Sequence, residues 1–317
     1  MNIEKEQRAI KYLKHFEPNG NGGWDAEPYY LCYSGGKDSD VILALAKLAG
    51  VNFEAVHNLT TVDAPETVQY VKSQPDVRID YPETTMWKLI VEKRMPPTRL
   101  VRYCCEELKE RGGRRRKKIT GVRWAESNSR KINRGIVDIQ GKEKTIRKHA
   151  EEAGLDYFIN SKGGLVLNDD NAETRAFVDH CYRTTSVMVN PIVDWTDDDV
   201  WEFLHHYGIK SNPLYEVIEK DDKYCPTGCH RIGCVGCPIQ NRRGMIADFV
   251  RYPKYRDNYL RALNRMQEKR KQDGLPPFGF DIYGELTARE IMMWWVGDDP
   301  RQLSLFDEPD YLKGACL

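Results

Sequence analysis

The chain of 317 residues has no excess of either charge: 48 Lys and Arg stand against 48 Asp and Glu. Its overall field therefore steers it to neither nucleic acid nor a membrane, and any such partner has to be sought in a local patch. No apolar run approaches the ~20 residues that span a bilayer. The opening residues, MNIEKEQRAI, are charged at once and have no apolar signal core, so a cytoplasmic protein is expected. Internal repeats and low-complexity linkers are missing, as are the spacings of a Walker loop and of a dinucleotide fingerprint. Cysteine is the residue present in unusual supply. Of nine, six fall into two groups: Cys104 and Cys105, then Cys225, Cys229, Cys234 and Cys237. Stable disulfides are rare in a reducing compartment, where grouped cysteines more often bind metal or do chemistry.

Hydrophobic residues make up 40% of the chain and charged residues 30%, an ordinary globular balance. Residues 3–16 carry Ile3, Ile10, Leu13 and Phe16 at helical spacing, and EPNGNGGWDAEP then breaks the chain. Strand-like runs at YYLCYS, FEAVHN, KITGVRW and SVMVNPIV alternate with helical patterns over 39–49, 65–73, 85–93, 104–111 and 196–207. This alternation predicts an α/β fold, a Rossmann-like parallel sheet with helices on both faces. Thr196 and Asp199 mark a capped helix start, with an apolar face of Val200, Phe203, Leu204 and Tyr207 and a stop at Gly208. Expected boundaries are an N-terminal helix and loop over 1–28, a nucleotide-binding domain over 29–210, a smaller Cys-rich and helical C-terminal module over 211–300, and a tail over 301–317.

The stretch SGGKDS, Ser34 to Ser39, sits between the first strand and the first helix of that domain. Gly35 and Gly36 permit a tight turn and let backbone N–H groups approach a ligand closely. The helix that follows aims its N–H groups and positive dipole end at the same place. Lys37 adds a mobile cation, Ser34 and Ser39 add hydroxyls, and Asp38 suits a magnesium ion bridging a phosphate. A glycine connector with no ligand is the bland alternative. The strand before and amphipathic helix after favour an anion cradle.

Cys234 and Cys237 form a CxxC loop in RIGCVGCP, a spacing that lets two thiolates reach one centre. Adjacent Cys104 and Cys105 diverge too much to close on one ion, whereas a cubane presents its irons at separate corners. Four thiolates in this arrangement favour an iron–sulfur cluster, [4Fe–4S], over zinc. Zinc held by Cys225, Cys229, Cys234 and Cys237 stays open as the alternative, as does a mixed set. Cys32 and Cys181 read as structural. Cys316 stands alone in the terminal GACL.

SGGKDS matches the PP-loop of the N-type ATP pyrophosphatase superfamily. VHNLTTVDAPETVQYV, TGVRWAESNSR and NPIVDWTDDDVWEFLHHYGIKSNPLY then resemble, in order, segments of the phosphoadenylyl sulfate (PAPS) reductase family. The resemblance covers roughly residues 29–240 and implies an adenine nucleotide α-hydrolase-like sheet. It implies that Ser34, Gly35, Gly36, Lys37, Asp38 and Ser39 bind phosphate or sulfate oxygens, that Asp63 lies near the nucleotide, and that Arg123 and Arg130 bind anions. A guanidinium suits that task independently, as a planar fork that never loses its charge. The cysteine pattern resembles that of cluster-containing adenylyl sulfate reductases. By position, Cys316 resembles the family's tail nucleophile, although the usual tail sequence around it is missing.

Two features point elsewhere. RGGRRRKK, residues 111–118, carries six positive charges in eight residues, and more basic residues follow in 242–271. QLSLF, with Gln302, Leu303, Leu305 and Phe306, resembles the motif that docks bacterial proteins on the replication sliding clamp. The leading expectation is an enzyme binding an adenine nucleotide beside an iron–sulfur cluster. It would reduce adenylyl sulfate (APS) or PAPS to sulfite with a thioredoxin-like dithiol, using Cys316, Lys37 and Arg123. The rival is an ATP pyrophosphatase, with Mg2+, adenylating DNA for sulfur insertion. A nucleotide-sensing accessory protein is the third reading.

Overall fold

A computed structural model describes residues 2–18, 27–181, 185–220, 223–226, 228–300 and 311–312, with backbone alone for 217–220 and 223–226. The chain divides into two compact units, neither contiguous in sequence. The first contains Met1–His57, Pro65–Asp80 and Gly112–Ile232; the second contains Asn58–Ala64, Tyr81–Arg111 and Gly233–Leu317.

The first unit opens with α1 (Ile3–His15), followed by β1 (Tyr29–Cys32), α2 (Lys37–Ala49), β2 (Phe53–Asn58), α3 (Pro65–Lys72) and β3 (Val77–Asp80). After α4 (Met86–Lys93) of the second unit come β4 (Lys117–Ile119), α5 (Asn128–Asn133), β5 (Val137–Gln140), α6 (Glu143–Glu152), β6 (Phe158–Ile159), β7 (Leu165–Leu167), α7 (Ala172–Cys181), β8 (Ser186–Val189), α8 (Asp197–His206) and the hairpin β9 (Val217–Lys220) and β10 (Lys223–Pro226). One sheet takes the order β3-β2-β1-β4-β8-β5-β7-β6. Strands β2, β1, β4 and β8 run parallel, as the alternating pattern predicts. Beyond β8, the strands β5, β7 and β6 pair antiparallel, an extension that the pattern did not announce because these strands are only two to four residues long.

Local rules account for most element ends. Asp199 and Thr196 exchange hydrogen bonds in a capping box at the start of α8, and Asp197, Asp198 and Asp199 favour the positive dipole end there. Val200, Phe203 and Leu204 are buried as expected, and Trp201 joins them. Tyr207 turns outward instead and donates its hydroxyl to Glu6 Oε1 at 2.7 Å, because a phenol keeps a polar end that needs a partner. In α1, Leu13 and Phe16 are buried but Ile3 is 59% exposed, since the first turn overhangs the sheet core. The expected strand KITGVRW pairs only over Lys117–Ile119 and then leads out toward Arg123.

The second unit is built from α4, α9 (Arg242–Arg251), α10 (Pro253–Gln272), α11 (Phe280–Tyr283) and α12 (Ala288–Val296). Its core gathers Met86, Leu89, Ile90, Phe249, Tyr259, Leu263, Ile291 and Trp295. The expected helix over 104–111 is instead a π-helical turn, Cys105–Lys109, closed by Glu110 N–H donating to Cys105 O at 2.8 Å. Such wide turns are frequent at functional sites. No helix among the described residues is long and apolar enough to cross a membrane.

Gly236 has φ +69°, and a Cβ there would lie 2.7 Å from the Phe249 ring. Gly236→Ala is expected to destabilise the second unit by about 1–3 kcal/mol, combining a left-handed backbone with overpacking. An unchanged urea midpoint by tryptophan fluorescence would contradict this packing.

Candidate active site

The SGGKDS turn lies at the carboxyl end of β1, where ligands bind in open α/β sheets. Gly35 adopts φ +76°, and Gly36 caps α2. Ser39 Oγ accepts from Gly36 N–H at 3.0 Å and lies 3.3 Å from Ser34 Oγ. Tyr215 sits on the loop: its hydroxyl accepts Lys37 N–H at 3.1 Å, and a Cβ on Gly36 would meet that oxygen at 2.9 Å. Asn212 Nδ2 donates to Gly35 O at 3.0 Å. Gly121 faces the other side, where a Cβ would lie 3.1 Å from the Asp38 backbone. The loop is thus clamped by groups from two distant segments, 212–215 and Gly121.

Arg123 is the largest fully buried side chain, 1% exposed. It donates from Nε to Asp38 Oδ1 at 2.6 Å, from Nη2 to Asp197 Oδ1 at 2.8 Å and from Nη1 to Trp195 O at 3.2 Å. Lys37 Nζ lies 3.3 Å from Asp197 Oδ1 and 3.2 Å from His230 O. Burial alone would raise the Asp197 carboxyl, but Arg123 and Lys37 hold it below the usual range. Arg130 pairs with Glu126. Burial, then the neighbouring Arg231 and Arg134, pull its pKa down to about 10. Arg130 therefore stays charged at neutral pH in a crowd of cations, a setting that an incoming anion relieves.

Behind the loop, Asp40 is 4% exposed. It accepts from Tyr33 Oη at 2.5 Å and from Ser211 Oγ at 2.6 Å. Burial pushes its pKa up to about 6, against the pull of those hydrogen bonds. Sequence reasoning missed Tyr33, Asp40, Asp197, Ser211, Asn212, Tyr215 and Arg231. Asp197, Ser211, Asn212 and Tyr215 lie in the family-like segment 190–215, but nothing in it singled them out, and Tyr33, Asp40 and Arg231 carried no local signal.

In the second unit, Cys104, Cys105, Cys234 and Cys237 gather. Cys104 hydrogen-bonds Cys105 and lies within Coulombic reach of Cys234 and Cys237. That contact with Cys104 lowers Cys105, while Cys104 itself is raised. Burial, with Asp63 adding to it, pushes Cys234 up to about 12. The CxxC loop is held by Val235 N–H to Val62 O at 2.7 Å, by Gly236 N–H to Asp248 Oδ2 at 2.9 Å and by Tyr259 Oη to Val235 O at 3.0 Å. Asp63 pairs with Cys234 across a single β-bridge, and its carboxylate accepts Thr60 N–H at 2.6 Å. Among the described residues, no three His, Cys, Asp or Glu side chains close on one point as a single metal ion requires. Cys229 belongs to the first unit, and the Cys225 side chain lies outside the described residues. So do Cys316 and Gln302, Leu303, Leu305 and Phe306.

Cys181 is buried, as a structural cysteine should be, whereas Cys32 is half-buried. The basic run 111–118 is partly structural. Arg116 donates to Pro28 O, Tyr29 O and Glu54, and the buried Lys117 pairs with Asp179. These ties anchor the sheet.

A glycine turn at the end of a parallel strand, feeding a helix and ringed by Lys and Arg, defines an α/β protein built to bind an anionic nucleotide. The model of the phosphoadenosine phosphosulfate reductase domain matches residues 28–240, more than half of the chain. The chain belongs to that family. A 37.8 kDa uncharacterized protein of Escherichia phage 186 is 37% identical over 95 residues, 30% of this chain and 23% of its own. An uncharacterized protein of Methanocaldococcus jannaschii is 26% identical over 279 residues, 83% of this chain and 54% of its own. An adenosine 5'-phosphosulfate reductase of Staphylococcus haemolyticus is 32% identical over 83 residues, 24% of this chain and 30% of its own. The matched segments thus span half or less of most of these relatives.

Two outcomes test this geometry. Arg123→Ala leaves Asp38 without its cation and Asp197 with Lys37 alone; it is expected to cost about 2–3 kcal/mol, less than in a fully buried pair because both carboxylates keep some water. Chemical denaturation measures that loss. For Asp40, the folded pKa of about 6 exceeds the unfolded value, so its stabilising contribution is present below about pH 4 and is lost as pH rises through 6. Asp40→Asn should therefore gain on the wild type by about 1–3 kcal/mol between pH 4 and 7, and parallel pH–stability curves would contradict this.

Proposed function

We propose that the chain reduces a sulfonucleotide, adenylyl sulfate or its 3′-phosphorylated form, to sulfite with a dithiol as reductant. The observation that carries this reading is the ring of cations at SGGKDS inside a segment that matches the reductase domain. The loop N–H groups, the Ser34 and Ser39 hydroxyls and Lys37 would bind phosphate and sulfate oxygens. Arg130 would add charge to the same anion. Arg123, already committed to Asp38 and Asp197, would orient those carboxylates and keep the loop in register.

Cys316 would supply the nucleophile. Its thiolate attacks the sulfo sulfur, an S–S bond forms, and the S–O bond breaks with its electron pair leaving on the nucleotide phosphate. A dithiol thiolate then attacks Cys316 Sγ, and sulfite leaves with the S–S electron pair. The second thiol closes a disulfide and returns Cys316 as a thiol. The dithiol loses two electrons and the sulfur gains two.

Cys104, Cys105, Cys234 and Cys237 would hold a [4Fe–4S] cluster. Cys104 lies within Coulombic reach of Cys105, Cys234 and Cys237, and four thiols spread over an adjacent pair and a CxxC suit a polynuclear centre. When bound, the cluster supplies a fixed electrostatic field.

The test uses anaerobic protein with iron and sulfide quantified, either sulfonucleotide and a dithiol. Sulfite is expected from the wild type, and Cys316→Ser should lower it at least about a hundredfold, the loss typical of a removed nucleophile. No sulfite from iron-loaded wild type sinks the reading. Pyrophosphate released from ATP with Mg2+ would then replace it with adenylation.

A further inference from the structure

The cations of residues 242–272 separate into two sets. Arg242 pairs with Asp298, Arg256 is buried, Lys269 pairs with Asp273, and Arg270 donates to Pro276 O and Arg94 O. These hold the second unit together. Arg243, Arg251, Lys254, Arg261, Arg265 and Lys271 are exposed. Of the three carboxylates in this stretch, Asp248 and Asp257 are half-buried and bonded to Gly236 and Arg256, which leaves Glu268 as the exposed one. In a chain with balanced charge, this segment is a concentrated exception.

The geometry is regular. Lys254, Arg261 and Arg265 recur on the solvent side of α10, opposite the buried Tyr259, Leu260, Leu263 and Met266. They span roughly 16 Å along the helix axis. A duplex strand presents a phosphate every ~3.4 Å, about five over that length. Lys254 and Arg265 have no carboxylate partner among the described residues, and Arg261 hydrogen-bonds Asn258. Arg251 lies over the Tyr252 ring at 5.6 Å. A lipid surface fits less well, because the apolar side of α10 is already in the core and cannot enter a bilayer.

We propose that the exposed face of α10 binds the phosphate backbone of a nucleic acid. The contact is backbone-directed and carries no sequence readout, since it presents cations while the neighbouring amides Asn258 and Asn264 are engaged with Arg261 and Glu268. It is independent of the reaction at SGGKDS and differs from the 111–118 run, whose Arg116 and Lys117 are tied into the sheet.

The experiment is fluorescence anisotropy with the full chain and a labelled duplex of about three turns, or the matching single strand. Salt is varied between about 50 and 200 mM. The wild type is expected to bind with a steep salt dependence. The triple variant Lys254→Ala, Arg261→Ala, Arg265→Ala should bind at least about tenfold more weakly at low salt, with a log–log slope shallower by roughly 2–3. These side chains are exposed, so its melting temperature should be unchanged. A control triple variant, Lys142→Ala, Lys144→Ala, Lys148→Ala, removes equal charge from exposed positions on α6 and its approach and should bind as the wild type does. No binding of either nucleic acid by the wild type overturns the proposal. So does a Lys254/Arg261/Arg265 variant that binds normally, or a control that loses as much. Sedimentation with phosphatidylserine–phosphatidylcholine vesicles in place of nucleic acid binding overturns it in favour of a membrane surface.

Discussion

The first unit turns on one buried guanidinium. Arg123 is out of water and must be paired, and its partners come from both ends of the site: Asp38 at the start of α2 and Asp197 at the start of α8. A charge in a low-dielectric interior is tolerable only when its hydrogen bonds and its counter-charges are supplied together. That requirement fixes the end of β4, the phosphate loop and the α8 cap relative to one another. Tyr215, Asn212 and Gly121 then clamp the loop from the remaining sides. The family's anion site rests on this frame, and Lys37, Arg130 and Arg231 bring positive charge to it.

Asp40 gives the same loop a second support with a different character. It sits one turn into α2, accepts from Tyr33 and Ser211, and is held above the usual carboxylate range because burial outweighs those bonds. Polar groups this deep stabilise a unique arrangement only while every member stays satisfied. The second unit follows a parallel logic with thiols. A π-helical turn carries Cys104 and Cys105, and a glycine turn backed by Phe249 and Tyr259 carries Cys234 and Cys237. The hydrogen bond between Cys104 and Cys105 sets their opposed titration, raising the first thiol and lowering the second.

Basic residues show how little charge runs reveal without a fold. RGGRRRKK is the densest cationic stretch in the sequence, yet Arg116 and Lys117 serve carbonyls and carboxylates inside the first unit. The quieter spacing of Lys254, Arg261 and Arg265 leaves those three on the solvent face of one helix. Helical period places these three on one solvent face, whereas in the dense run only Arg114 and Arg115 are exposed.

Much was determined by sequence alone. Strand β2 and helix α8 followed from alternation and capping, and SGGKDS announced a strand-to-helix turn because two glycines, a strand and a helix start are local requirements. The cysteine pairs were equally legible, since thiol spacing is written in the chain. Only the tertiary structure decided that Arg123 is committed to Asp38 and Asp197, that Tyr215 and Asn212 close the loop, and that Asp63 sits with Cys234. It also decided that 81–111 folds with the C-terminal residues in the second unit. Each depends on which distant segments share one desolvated space. Local propensity carries no record of that, because pairing across 85 or 178 residues is settled by burial of charge and apolar surface together.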